Sequence, residues 1–207
     1  ELVRAAMVQT GEADWAADIG LENKASVPQW KVSGTTEVYA LILDTMWHPE
    51  LKKKQVREAL NLAIDCQAIT DALLEGMPCW GNISPAGTVG LTPENSAAYG
   101  YDPTRAKQLL EEAGYDPKNT IHVHTRTGRC CRDMEFQEAI LSYWQEVGVT
   151  SEFAVLERTR SKEITSSGCG RFKDDDTYVG VWDCAQREPP GPNYATAHKK
   201  HLAVNRI

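Results

Sequence analysis

The stretch Thr120 to Leu156 reads TIHVHTRTGRCCRDMEFQEAILSYWQEVGVTSEFAVL, and it contains a complete structural unit. The residues near Thr120–Thr125 suit an extended strand. From Asp133 to Val147, Phe136, Ile140, Trp144 and Val147 recur at helical spacing on one face, and Gly148 ends the helix. From Val149 to Leu156 the pattern changes to alternation, with Val149, Ser151, Phe153 and Val155 against Thr150, Glu152 and Ala154. Strand, helix, strand within about 37 residues is a βαβ unit, and its two strands are expected to pair in parallel because a helix carries the chain back between them. The predicted class is therefore α/β.

Upstream, helices announce themselves through their ends. Asp102 and Pro103 supply an N-cap and a first helical residue, Ala106, Leu109, Leu110 and Ala113 form a buried stripe, and Gly114 closes it. Before that, Pro49 is expected to open a helix with Val56, Leu60, Ala63 and Ile64 inward and Lys53, Lys54, Arg57 and Glu58 in water. Asp65 ends that helix and caps the next, whose stripe is Ile69, Leu73 and Leu74 and whose C′ residue is predicted to be Gly76. Met77 to Asn95 is rich in Gly, Pro, Asn and Ser and reads as a long ordered loop. Downstream, Ser161 to Asp176 is polar, Thr177 to Trp182 reads as a strand, and Glu188 to Asn193 as a Pro-rich turn.

Composition narrows the function classes. The 207 residues include 22 basic and 29 acidic ones, a net charge of −7, with 42% hydrophobic and 25% charged residues, which is ordinary globular composition for one large domain or two small ones. The acidic balance argues against a nucleic-acid or anionic-membrane binder, since counterion release needs a basic face. Lys52, Lys53 and Lys54 read as one solvated helix turn. No segment approaches the roughly 20 apolar residues of a membrane-spanning helix. Residues 1–10 lack the regions of a signal peptide and begin within an apparent helix, with Leu2, Ala6 and Val8 already periodic. Both ends are expected to be cuts within a longer sequence. Six cysteines, Cys66, Cys79, Cys130, Cys131, Cys169 and Cys184, permit 15 pairings, and their spacing contains no Cys-x-x-Cys pair that would support a tetrathiolate zinc site. Free thiols and one or two bridges are both open.

The dinucleotide, phosphate-loop, metalloprotease and nucleophile-elbow signatures are all missing from the chain, which makes catalysis a weaker expectation without excluding it. One cluster invites metal chemistry: His122 and His124 leave the same strand face, and Cys130 and Cys131 follow closely, a thiolate–imidazole set suited to zinc, nickel or copper. Their spacing matches no known closed site, and they read better as polar strand positions and small apolar fillers. Asp174, Asp175 and Asp176 lack the alternation and glycine turn of a calcium loop and read as a solvated loop. More telling is Tyr178-Val179-Gly180-Val181-Trp182-Asp183-Cys184, followed by Arg187, where a strand end carries an aromatic plate and a charge. Ligands of open α/β sheets gather outside the carboxyl ends of strands, and such a pair suits a small polar solute, although on spacing alone Trp182 reads as a core residue and Asp183 as a turn cap.

Four segments together resemble the peptide/nickel class (family 5) of extracellular solute-binding proteins of bacterial ABC transporters. Val8-Gln9-Thr10-Gly11-Glu12-Ala13-Asp14 resembles the "x-x-x-G-E-x-D" segment of that family. Val56-Arg57-Glu58-Ala59-Leu60-Asn61-Leu62-Ala63-Ile64-Asp65 is similar to its signature "V-R-x-A-L-x-x-A-I-D". Tyr101-Asp102-Pro103 through Glu112-Ala113-Gly114-Tyr115 resembles "Y-D-P-x-x-A-x-x-L-L-x-E-A-G-Y", and Trp144 to Val149 resembles the junction "W-x-x-x-G-V".

The resemblance implies a periplasmic-binding-protein-like type II fold with two α/β lobes, each a mixed sheet flanked by helices. Residues 1–36 would be a remnant of lobe one and 37–207 a lobe two truncated before its return crossover, with Val38 to Thr45 as the crossover strand. The implied function is the binding component of an ABC importer, holding a peptide or other small polar solute in an interlobe cleft. It would be periplasmic, or extracellular and membrane-anchored, in the full-length protein. The implied partners are that ligand, the membrane permease subunits and a missing lobe one; no cofactor and no nucleic acid are implied, and self-association through the uncovered lobe face is a further expectation. Trp182 matches the Trp that lines the cleft in peptide-binding relatives. Asp183 follows it directly, whereas the family writes "W-x-x-D". Arg126, Arg129 and Arg132 fall where relatives carry cleft-facing loop residues, where an arginine can clamp a carboxylate. Arg187 follows the Trp182 segment, and His198 is a counterpart of a His used by some nickel-complex binders. The rival reading is a metal- or thiol-dependent module built on His122, His124, Cys130 and Cys131.

Overall fold

A computed structural model of the chain describes residues 2–17, 19–31, 37–38, 41, 43, 45, 48–75, 90, 92–97, 99–125, 132–157, 159 and 185–186. The chain divides into two units, Glu1–Thr35 and Thr36–Ile207. In the first, α1 (Leu2–Gln9) buries Ala5 and is followed by a 3-10 turn at Leu21–Ser26. The Arg4 guanidinium reaches over to the Ala17 carbonyl at 2.9 Å, and Lys24 lies 5.8 Å from the centre of the Trp30 ring.

The second unit contains β1 (Glu37–Val38), α2 (Lys54–Leu62), α3 (Cys66–Leu73), α4 (Pro93–Ser96), α5 (Pro103–Glu112), β2 (Ile121–Thr125), α6 (Asp133–Glu146), β3 (Ser151–Val155) and β4 (Ala185–Gln186). β2 and β3 pair in parallel from Ile121↔Ser151 to Thr125↔Val155, with α6 as the crossover, so the predicted βαβ unit forms. β1 and β4 pair antiparallel, Glu37 opposite Gln186 and Val38 opposite Ala185, joining segments far apart in sequence. The α/β class expected from the sequence is that of the molecule. No helix among the described residues is long and apolar enough to cross a membrane.

The core is continuous. Val56, Ala59, Leu60 and Ala63 meet Ala106, Leu109 and Leu110 where α2 packs on α5, and Ile121, Val123, Phe136, Ile140, Trp144, Val147 and Val149 extend it through the βαβ unit. Small residues at Ala59, Ala63 and Ala106, each almost fully buried, let the two helices approach closely. Two of the motifs that carried the resemblance are thus one helix pair.

The end of α2 shows why the third motif belongs with them. The last four carbonyls of a helix have no partner within it. Here Ala59 accepts from the Ala63 N–H at 2.9 Å, Asn61 from the Ile64 N–H at 3.2 Å, Leu62 from the Asp102 N–H at 2.8 Å, and Leu60 from the Trp144 indole N–H at 3.0 Å. Trp144 is 1% exposed, so its ring fills the core while its single polar atom finishes another helix.

Two predicted boundaries shift. Pro49 lies in a turn, and α2 begins at Lys54. The turn wins because buried His48 holds it: its Nδ1 accepts the Leu51 N–H at 3.3 Å, leaving Nε2 to donate to the Thr120 carbonyl at 3.2 Å. Glu50, also buried, accepts from Lys53 at 2.8 Å and from Asn119 at 2.9 Å. Burial pushes the Glu50 carboxyl up, but those two donors and the Lys53 charge outweigh it and hold the group below its ordinary range. Lys53 also donates to the Gly114 carbonyl, at 2.9 Å, just beyond α5. The second shift is at α3, whose left-handed C′ residue is Glu75 (φ 53) in place of the predicted Gly76, which lies outside the described residues.

Elsewhere the predicted caps form. The Asp65 carboxylate accepts from the Ala68 N–H at 3.0 Å, and Asp102 from the Arg105 N–H at 2.8 Å. Gly114 and Gly148 take positive φ after α5 and α6. Cys66, the first residue of α3, is disulfide-bonded.

Candidate functional site

The carboxyl ends of β2 and β3 lie at one edge of the parallel pair. The ladder continues one step beyond the strands, the Leu156 N–H donating to the Thr125 carbonyl at 2.8 Å. The chain leaves this edge after Thr125 and opens α6 from Arg132, whose backbone is left-handed (φ 56, ψ 35). A side chain with a Cβ costs about 1–2 kcal/mol in that conformation, and strain of this kind concentrates where a loop is held for a purpose. The Arg132 carbonyl accepts the Phe136 N–H at 3.0 Å, so its backbone starts the helix while its side chain is only half-buried.

Buried polar groups collect in this part of the unit. His124 is 2% exposed, Thr125 1% and Gln137 0%. Gln137 sits about one turn into α6, on the face it shares with Ile140 and Trp144. Among the described residues, neither its amide oxygen nor its amide nitrogen has a hydrogen-bond partner. Leaving a buried polar atom unpaired costs about 1–3 kcal/mol, so the Gln137 amide sits in the core at a cost. The sequence reading passed over Gln137 because it traced apolar residues alone. The series 137, 140, 144, 147 places a polar residue within the buried stripe, and that was the available signal.

The histidines of the metal reading differ in setting. His122 faces Glu152, its register partner on β3, with Nδ1 3.2 Å from the carboxylate. His124 is buried beside Thr125 in the strand. Cys130 and Cys131 lie outside the described residues, and among the described residues no group of three or more His, Cys, Asp and Glu gathers to hold a metal. Nothing supports the metal- or thiol-dependent alternative.

Trp182, Asp183, Arg187, Arg126, Arg129 and His198 also lie outside the described residues. In sequence, Asp183 precedes β4 by two positions and Arg187 follows it directly. A separate open groove of about 420 Å³ runs between Glu138, Leu141, Ser142 and Gln145 of α6 and the chain from Val149 to Phe153. It lies toward the amino end of β3, the end of a parallel strand that ligands of α/β sheets avoid.

Residues 1–198 match the family described as bacterial extracellular solute-binding proteins, family 5 middle. The chain is 34% identical over 174 residues to the glutathione-binding protein GsiB of Salmonella typhimurium, an alignment covering 80% of this chain and 33% of that protein. The chain thus spans about a third of the length of the curated relatives it matches. Among solved structures, the substrate-binding protein CtaP of Listeria monocytogenes superposes with a TM-score of 0.76 at 18% identity, covering 100% of this chain and 43% of that one. DppA of Helicobacter pylori, solved in complex with the peptide STSA, gives 0.68 at 20% identity, covering 98% and 37%.

Proposed function

The chain belongs to the family 5 bacterial extracellular solute-binding proteins, and from that membership we propose that it forms part of the binding component of an ABC importer, a carrier and not an enzyme. The observation that carries this reading is the family match across residues 1–198. In it, residues 1–36 belong to lobe one and 37–207 to lobe two, and the division of the chain at Thr35–Thr36 supports that boundary. The working location of the full-length protein is the periplasm or, membrane-anchored, the exterior of the cell, and the permease subunits are the membrane partners.

A short peptide is the ligand class that best fits. Glutathione is itself a peptide, and the Helicobacter relative was solved with one bound. The carboxyl edge of β2 and β3 is the wall of the cleft that this chain contributes. In this reading Arg126 and Arg129 serve as a carboxylate clamp, Trp182 as the aromatic plate for the ligand, and Asp183 and Arg187 as further polar contacts. His198 stands as an outlying contact. Capture proceeds by hinge closure, in which ligand contacts to both lobes favour the closed state.

The test is an NMR titration of the isotopically labelled chain with glutathione and a panel of di- and tripeptides. One wall of a two-walled cleft predicts weak, millimolar binding, with amide shifts concentrated at Thr125, Arg132 and the first turns of α6. Arg129→Ala and Trp182→Ala should abolish those shifts. Micromolar affinity for the chain alone, or no localised shift up to the solubility limit of the peptides, overturns the proposal.

A further inference from the structure

Six cysteines in a chain of this size left free thiols and cross-links equally open from sequence, and the structure decides one of them: Cys66 is disulfide-bonded. The other five, Cys79, Cys130, Cys131, Cys169 and Cys184, lie outside the described residues. The position of Cys66 matters more than the count. It is the first residue of α3, directly after Asp65, whose carboxylate caps the same turn. α3 buries Ile69 and Thr70 and packs on α6, the helix whose Trp144 completes α2. A covalent bond at this point fixes the amino end of α3, the helix that packs on α6.

We propose that the Cys66 disulfide is a structural cross-link that makes the full stability of this lobe conditional on an oxidising compartment. Its formation requires an oxidant, and the chemistry fits a protein disulfide of the thiol–disulfide exchange class. One cysteine thiolate of the chain attacks a sulfur of that disulfide and expels the other sulfur as thiolate. The second cysteine of the chain then attacks the mixed disulfide, closing the intramolecular bond and releasing the reduced dithiol. Two electrons and two protons pass from the chain to the exchange partner. In a reducing cytoplasm the reverse reaction prevails, and the lobe loses the cross-link. The proposal is independent of the ligand and of the importer reading.

The loop closed by Cys66 ranges from roughly 14 residues with Cys79 to roughly 120 with Cys184, and over that range loss of the bond lowers Tm by about 6–19 °C in a chain of this length. The experiment uses the chain exported to an oxidising compartment, denatured and alkylated without reductant, then digested for peptide mass analysis. The expected result is a disulfide-linked peptide containing Cys66, together with a Tm fall of the stated size on adding a phosphine reductant. Cys66→Ala should show a comparable fall at the outset and a smaller further response to reductant. If that variant does not fold, the peptide mass and the reductant response of the unaltered chain still decide. Alkylated Cys66, or a Tm indifferent to reductant, overturns the proposal.

Discussion

Replacing Trp144 with Phe isolates one hydrogen bond in the core. The indole N–H is 3.0 Å from the Leu60 carbonyl, and no backbone N–H of the described residues takes its place, because Ile64 donates to Asn61. Phe keeps most of the ring in a site that is 1% exposed. It leaves a buried carbonyl unpaired, at about 1–3 kcal/mol. The smaller ring adds a packing loss of about 1–2 kcal/mol. The sum is about 2–5 kcal/mol, or a Tm lowered by roughly 4–20 °C for a chain of this length. Urea unfolding followed by far-ultraviolet circular dichroism gives the free energy without relying on the altered chromophore. Phe136→Leu, in the same core and with no hydrogen bond at stake, supplies the packing reference at about 1 kcal/mol. If Trp144→Phe costs no more than Phe136→Leu, the indole bond contributes nothing, and the account of how α2 ends is wrong.

Two further outcomes follow from the fold. Glu50→Gln should destabilise the chain at neutral pH by about 1–3 kcal/mol, since it removes the charge of a buried carboxylate that accepts from the half-exposed Lys53 ammonium and from Asn119. The Glu50 carboxyl is held below its ordinary value of 4.5, so its contribution is fully present above that value and is lost as pH falls through the lower folded one; acid titration of stability should be shallower for Glu50→Gln, and equal slopes would contradict the sign. Glu75→Gly should stabilise by up to about 1 kcal/mol, because the left-handed C′ position of α3 suits glycine, and a loss of stability in thermal melts would show that the Glu75 side chain contributes more than the backbone relief.

Elements with local signals at both ends were legible. α5 is the clearest: Asp102, Pro103 and Gly114 each act through backbone chemistry within a turn, and Ala106, Leu109 and Leu110 are the buried stripe. The parallel pairing of β2 and β3 followed from connectivity alone. Pro49 misled because a side chain competes with helix formation there, and the His48 ring is held by Thr120, which is 72 positions on. No local window contains that information. Glu75 was missed because glycine next to it is the stronger local signal for a left-handed residue. Gln137 was missed because amphipathic reading counts apolar positions, and a buried polar group is informative only when its partners are known. The candidate ligand residues stood on different ground from the start. Trp182, Arg126 and Arg129 were singled out by resemblance to a family pattern more than by their own spacing, and they lie outside the described residues.

The end of α2 has a consequence in time as well as in space. Of its four terminal carbonyls, those of Leu60 and Leu62 are completed by Trp144 and Asp102, 84 and 40 positions later in the chain. During synthesis or refolding, the last turn of α2 therefore stays frayed until α5 and α6 dock, and the three helices gain protection together. Hydrogen exchange of the Asp102 amide, whose acceptor is the last residue of α2, reads out that event at a single backbone proton. The segment most recognisable in sequence is thereby among those least able to hold its own structure alone.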